Sequence, residues 1–235
     1  RMLNQNYMEI YMEEHQNKKF RYERKYIVEK NYLPKLISQL HSLGYIKSFS
    51  DRRVNNIYFD DYNFSSVNHN FDGLSKRNKY RVRWYSKLFE NSNKILEIKI
   101  KDEFLNSKKY CNLNLMKLKS LDNINDFHSN VLLELKNLKN FELYGKISNR
   151  RPTLLNSYQR MYFEKKLMGL RLTIDSDLFF YSPITKINFK EKIIIIEVKY
   201  NKEVNFFNKL KKLSFTRYSK YVKGISQTTF SNSIY

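Results

Sequence analysis

The stretch KYRVRWY, residues 79–85, sets Arg81 and Arg83 two apart among Tyr80, Val82 and Trp84. Side chains alternate across a β-strand, so both guanidinium groups share one face and the apolar residues take the other. The arrangement recurs outward along the chain. Glu23 and Lys25 lie in FRYERKYIV (20–28), and Glu97, Lys99 and Lys101 in ILEIKIK (95–101). Arg171, Thr173 and Asp175 lie in LRLTID (170–175), and Glu197 and Lys199 in IIIIEVKY (193–200). An ordinary half-buried strand carries a mixed polar face. Here that face repeats Arg, Lys and Glu, which suits strands lining one shared charged cavity.

Between these strands the pattern predicts an α+β chain. Strands are expected at 19–29, 54–60, 78–87, 93–101, 108–115, 152–164, 170–181 and 192–200, several of them bounded by turn residues. A helix is expected over 31–43, capped by Asn31 and ended by Gly44, with others inside 116–146 and at 204–213. Residues 61–77 read as a polar connection with an Asp72-Gly73 turn. Lys76, Arg77 and Lys79 at its end read equally as a solvated loop or as the opening of the cavity. Only 5 Gly and 3 Pro in 235 residues argue against linkers, so one domain with helices packed outside antiparallel strands is expected.

The formal charge is +21, from 44 Lys and Arg against 23 Asp and Glu. This points to a polyanionic partner. A solvated basic surface would also give the excess, but does not account for bases placed inside strands. A nucleic-acid binder would suit the charge too, yet no helix-turn-helix, zinc finger or RNA-recognition strand motif is present. The single Cys111 excludes an intramolecular disulfide, and the four histidines show no metal spacing. No apolar run approaches the length of a membrane helix, and no signal peptide is visible. A cytoplasmic setting is expected, with the cytoplasmic face of a membrane compatible. The chain begins with Arg1, as a fragment would, so an anchor or a membrane-embedded partner outside it is also compatible.

On the charged faces the bases are Lys25, Arg81, Arg83, Lys99, Lys101, Arg160, Arg171, Lys199 and Lys220, and the acids Glu23, Glu97, Asp175 and Glu197. Burying isolated charges costs several kcal/mol each, so such a cavity would hold water and a compensating anion. Arg grips phosphate oxygens bidentately and Lys acts as a point charge. A few carboxylates among the bases could hold Mg²⁺ or Mn²⁺ against phosphates. Phosphoryl transfer needs positioning and electrostatics more than a dedicated nucleophile, so the lack of a Ser-His-Asp or Cys-His set is compatible with it.

The ordered series RYERKYIV (21–28), NNIYFDD (55–61), KYRVRWY (79–85), LEIKIK (96–101), YQRMYF (158–163), LRLTIDSDL (170–178), IIEVKY (195–200) and RYSKYVKGI (217–225) resembles the VTC domain. This is the catalytic domain type of vacuolar transporter chaperone polyphosphate polymerases, within the triphosphate tunnel metalloenzymes. The resemblance implies an antiparallel eight-stranded β-barrel, with an extension at 1–18, the tunnel domain at 19–225 and a tail at 226–235. It implies a metal-dependent enzyme, using Mn²⁺ or Mg²⁺, that transfers the γ-phosphate of ATP onto polyphosphate or pyrophosphate. No specific nucleic acid is implied. By matching motifs, Lys25, Arg81, Arg83, Lys99, Arg160, Arg171 and Lys199 would grip phosphates, with Ser219, Lys220 and Lys101 as further substrate contacts. Glu197 would be the best metal ligand, helped by Glu23 and Glu97. An inorganic triphosphatase with the same tunnel and a non-catalytic polyphosphate-binding module are the alternatives. Where the wider superfamily opens with Glu-x-Glu-x-Lys, Arg21 holds the first Glu position, which favours the VTC branch.

Overall fold

A computed structural model describes residues 22–102, 105–115, 117–200 and 213–231. The expected extension at 1–18, and the expected helix at 204–213 except Leu213, lie outside the described residues. The strands are β1 (Tyr22–Glu29), β2 (Ile46–Asp60), β3 (Arg77–Tyr85), β4 (Lys94–Asp102), β5 (Leu105–Leu113), β6 (Arg151–Lys165), β7 (Leu170–Tyr181), β8 (Asn188–Lys190), β9 (Ile193–Tyr200) and β10 (Ser214–Thr216). The helices are α1 (Leu33–Ser42), α2 (Ser65–Phe71), α3 (Ile124–Asn137), α4 (Phe141–Ser148) and α5 (Lys220–Ile225).

The strands form one antiparallel sheet in the order β10-β1-β9-β7-β6-β2-β3-β4-β5, with β8 paired to β7. This corrects the expected closed barrel of eight strands. The sheet has ten strands, and among the described residues no ladder joins β10 to β5. The two additional strands, β8 and β10, are three residues each, too short to leave a periodic signal.

Several boundaries also differ from the sequence pattern. β2 starts at Ile46 rather than 54. The helix expected from Asn31 starts at Leu33, after a 3₁₀ turn over Lys30–Tyr32, with Pro34 in its first turn, where the missing N–H costs nothing. The polar connection contains α2, whose first N–H groups are met by carboxylates. Asp61 Oδ1 accepts from Ser65 N at 3.0 Å and Asp60 Oδ1 from Ser66 N at 3.1 Å. The expected tail opens instead as a π-helical turn over Ser226–Phe230, continuing α5.

The outer face carries two apolar layers. Val82, Trp84, Leu96 and Ile98 of β3 and β4 pack on Phe127, Val131 and Leu135 of α3 and Leu143 and Ile147 of α4. Val28, Leu172, Ile174, Ile194, Ile196 and Val198 pack on Leu36 and Leu40 of α1. These are the residues that alternate with the charged ones, so the period of two is satisfied strand by strand.

The inner face is apolar at one end, and α5 sits on it. Tyr221 and Ile225 pack among Tyr58, Leu154, Tyr158, Phe180 and Ile195. Tyr221 stacks on Tyr58 at 4.7 Å and donates to Asp60 Oδ2 at 2.8 Å. A Cβ on Gly224 would run into Leu154 and Phe180, so only glycine permits this approach. The segment leading into α5 touches strands that are not neighbours. Lys25 of β1 donates to the Tyr218 carbonyl at 3.3 Å, Lys79 of β3 to Ser219 Oγ at 3.0 Å, and Lys220 to Asp175 of β7 at 2.6 Å. The sheet must curl for these three strands to meet one short segment. The charged end of its inner face is therefore concave.

Candidate functional site

Cross-strand register shows which charges share the concave face. Glu23 lies opposite Lys199 and Lys25 opposite Glu197. Lys199 and Glu197 lie opposite Arg171 and Thr173 in turn. Arg160 faces Asp175 and, on its other side, Arg52. Asn56 and Tyr58 face Arg83 and Arg81. Arg77, Lys79 and Arg81 face Lys101, Lys99 and Glu97, and Lys99 in turn faces Lys108. The expected site residues Lys25, Arg81, Arg83, Lys99, Lys101, Arg160, Arg171, Lys199, Glu23, Glu97 and Glu197 thus occupy one continuous face of β1, β9, β7, β6, β3 and β4. Ser219 and Lys220 approach it from the start of α5.

Within this face the charges fall into three clusters. In the first, Glu97 is 3% exposed. Arg81 donates to its Oε2 from Nε at 3.0 Å and from Nη2 at 2.6 Å, and Arg81 Nη1 donates to Tyr58 Oη at 3.2 Å. Arg83 Nη1 and Lys108 Nζ lie at 3.6 and 3.7 Å from the same carboxylate. Burial alone would raise the Glu97 carboxyl, but Arg81, Arg83 and Lys108 hold it well below the usual carboxylate range. Arg83 Nε donates to Asn56 Oδ1 at 2.8 Å, and Asn56 Nδ2 to Asn156 Oδ1 at 2.7 Å, so a buried amide pair aims this guanidinium.

In the second, Asp175 is fully buried. Arg160 grips it bidentately, Nε to Oδ1 at 2.6 Å and Nη2 to Oδ2 at 2.8 Å, and Lys220 Nζ donates to Oδ2 at 2.6 Å. Burial would raise its carboxyl, but Arg160 and Lys220 hold it low. Both cations also lie over the Tyr158 ring, at 5.3 and 4.7 Å from its centroid. Both oxygens of Asp175 are committed to cations, which makes it a structural acceptor.

In the third, Lys25 stands between Glu23 at 3.4 Å and Glu197 at 3.8 Å, and Lys199 lies 3.2 Å from Glu197. Burial opposes the charge on Glu197, but Lys199 and Lys25 hold its carboxyl well below the usual range.

Two lysines stand apart from these clusters. Among the described residues no carboxylate lies within ion-pair distance of Lys79 or Lys99, and the contact of Lys79 is the Ser219 hydroxyl. Burial and the positive charges of Lys25, Lys99, Arg77 and Arg81 push the Lys79 ammonium down to about 7. Burial likewise lowers Lys99. Lys101 and the exposed Arg171 lie toward the rim, outside the Glu97 and Asp175 clusters.

Sequence reasoning left Lys79 undecided and did not single out Lys108, Asn56 or Tyr58. Lys79 obeys the same two-residue period as Arg81 and Arg83; its adjacency to the run at 76–77 hid that signal. As for a metal, among the described residues no three His, Cys, Asp or Glu side chains gather as a ligand set. Glu23, Glu97 and Glu197 therefore do not form one triad. Glu97 Oε2 is held by Arg81 while its buried Oε1 has no hydrogen-bond partner among the described residues, and Glu23 and Glu197 flank one lysine.

The family model of the VTC domain matches residues 20–229. No curated protein matches the chain. Among solved structures, the fold is similar to a Hippeastrum protein assigned as an adenylyl cyclase and described by a dominant triphosphatase activity. The likeness has 14% identity, covers 89% of this chain and 97% of that one, and has a TM-score of 0.53. A Bacillus halodurans protein assigned as an adenylate cyclase gives 17% identity, 79% and 82% coverage and a TM-score of 0.45. A protein of Pyrococcus horikoshii gives 12% identity, 88% and 99% coverage and a TM-score of 0.45. No described helix is long and apolar enough to cross a membrane.

Proposed function

Since the chain belongs to the VTC domain family, we propose that it is a metal-dependent enzyme transferring the γ-phosphoryl group of ATP onto a polyphosphate chain held in the basic concavity. The observation that carries this reading is the pair Lys79 and Lys99, half-buried cations without carboxylate partners among the described residues, Lys79 in line with Arg77, Arg81 and Arg83 and Lys99 opposite it. Residues two apart on a strand are separated by roughly 6.6–6.8 Å, so the basic row of β3 extends over about 20 Å. A row of that length suits a linear phosphate chain better than a single phosphate.

In this reading Arg83, Lys79, Lys99, Lys25 and Lys199 bind phosphate oxygens. Glu97 and Asp175 hold Arg81 and Arg160 in place, leaving their remaining N–H groups for substrate. Ser219 and Lys220 close the row from α5, and Arg171 and Lys101 guide the chain at the rim. The bond from the γ-phosphorus to the β,γ-bridging oxygen breaks and one to the terminal oxygen of the chain forms. That acceptor is already ionised, so no side-chain base is needed. The leaving ADP oxygen gains negative charge, which this row of cations stabilises.

The donor set fits a divalent ion bound jointly with substrate. Mg²⁺ and Mn²⁺ are commonly held by one or two carboxylates plus phosphate oxygens, which Glu197 and Glu23 can supply beside the row. Such an ion would neutralise charge developing on the phosphates. Glu97, covered by Arg81, suits this less well.

Chelating divalent ions is expected to stop ADP formation from ATP. Glu197→Gln is expected to lower kcat/KM by at least about 100-fold while the melting temperature stays close to wild type. Unchanged turnover in that variant would remove the metal assignment. A second reading is hydrolysis, with water as the acceptor. It is supported by the fold likeness to the Hippeastrum protein described by triphosphatase activity.

A further inference from the structure

Lys79 lies on the concave face between Arg77 and Arg81 and opens the stretch that carries Arg81 and Arg83. Its neighbours are nearly all cationic. On its own strand are Arg77 and Arg81, across β4 is Lys99, and from β1 comes Lys25. From α5 it meets the hydroxyl of Ser219, the residue that caps that helix by accepting from Val222 N at 3.4 Å. Some of the cations on this face have a built-in counter-charge: Arg81 has Glu97, Arg160 has Asp175, and Lys25 has Glu23 and Glu197. Lys79 has a neutral oxygen in that place, and the strand geometry leaves its ammonium facing the shared space of the row.

We propose that the Lys79 ammonium, placed at phosphate in the reading above, is completed by the ligand's charge, so that phosphate binding there is coupled to proton uptake. The proposal rests on the phosphate-chain reading above. Its physical cause is that like charges around a half-buried lysine weaken its hold on the proton, whereas a bound polyanion reverses the local field and restores it. The sign follows from linkage. Above about pH 7 the free site must take up a proton to bind, so affinity falls as pH rises, by up to tenfold per unit from this group.

The test is isothermal titration calorimetry of the whole chain with inorganic tripolyphosphate, without metal, at pH 8 in two buffers of different ionisation enthalpy. Wild type is expected to take up close to one proton more than Lys79→Arg, which carries a fixed charge and keeps most of the affinity. Lys79→Gln is expected to bind roughly 10- to 100-fold more weakly at pH 6.5, with the gap narrowing by pH 9. Equal net proton exchange in wild type and Lys79→Arg would overturn the proposal and leave the phosphate-chain reading in place. No tripolyphosphate binding by wild type would sink both.

Discussion

The Asp175→Ala protein is expected to be about 3–5 kcal/mol less stable than wild type, the usual cost of removing one partner of a buried ion pair. Asp175 is fully buried, and its two oxygens hold Arg160 bidentately and Lys220. Its loss leaves two largely buried cations facing each other over the Tyr158 ring. It also releases α5 from β7, because Lys220 opens that helix. Urea unfolding followed by circular dichroism measures the loss. Tripolyphosphate should then stabilise the variant more than wild type, since the added anion occupies a more positive site. The pH dependence has a definite sign. The Asp175 carboxyl is depressed, so its contribution is present above the ordinary carboxylate range and is lost as pH falls through its lowered value. Stability should therefore fall less steeply with acid in the variant. A stability loss below about 1 kcal/mol would mean that Arg160 and Lys220 do not depend on this carboxylate.

Arg83→Ala is expected to lower phosphoryl-transfer turnover by about 10³-fold or more, the scale of a guanidinium acting on a transferring phosphoryl group. Arg83 differs from Arg81 and Arg160 in how it is held. A neutral amide, Asn56, accepts from its Nε, and Glu97 stands off at 3.6 Å. Its outer nitrogens are thus the least neutralised of the three. Folding should survive, because Glu97 keeps Arg81 and Lys108 and only one hydrogen bond is lost, costing about 1–2 kcal/mol. Arg83→Lys should restore only part of the rate, since an ammonium cannot reproduce the fork. The contrasting variant is Arg81→Ala, which strands a buried carboxylate and should lose stability as well as rate. Steady-state kinetics together with thermal melts separate the two. Equal melting losses in Arg81→Ala and Arg83→Ala would contradict this division of roles.

The inner face was legible in the sequence because period-two alternation is a local property of a strand. Arg81, Arg83, Glu97, Lys99, Glu197 and Lys199 needed no knowledge of the fold to be put on charged faces. How the strands order and curl into one sheet was not legible. That depends on pairings far apart in sequence, and on β8 and β10, which are shorter than any pattern. The helix α2 was missed because the sequence SSVNHNF has no apolar stripe and is started by the carboxylates of Asp60 and Asp61. The partner of each charge also lay beyond sequence. The resemblance made Glu97 a helper ligand to a metal, and nothing in the sequence signalled that register lays Arg81 directly across it. Lys79 belongs to the same period as Arg81, but its place beside a basic run left it reading equally as solvated loop or as the opening of the cavity. Its meaning came from what surrounds it in space.

The most direct test of the account is the fate of the γ-phosphate. ATP labelled at that position, incubated with the protein, Mn²⁺ and a pyrophosphate primer and resolved on a gel, is predicted to give a ladder of labelled polyphosphate, with one ADP formed per phosphate added. Label found only in orthophosphate would contradict transfer and leave hydrolysis as the reaction of this concave face.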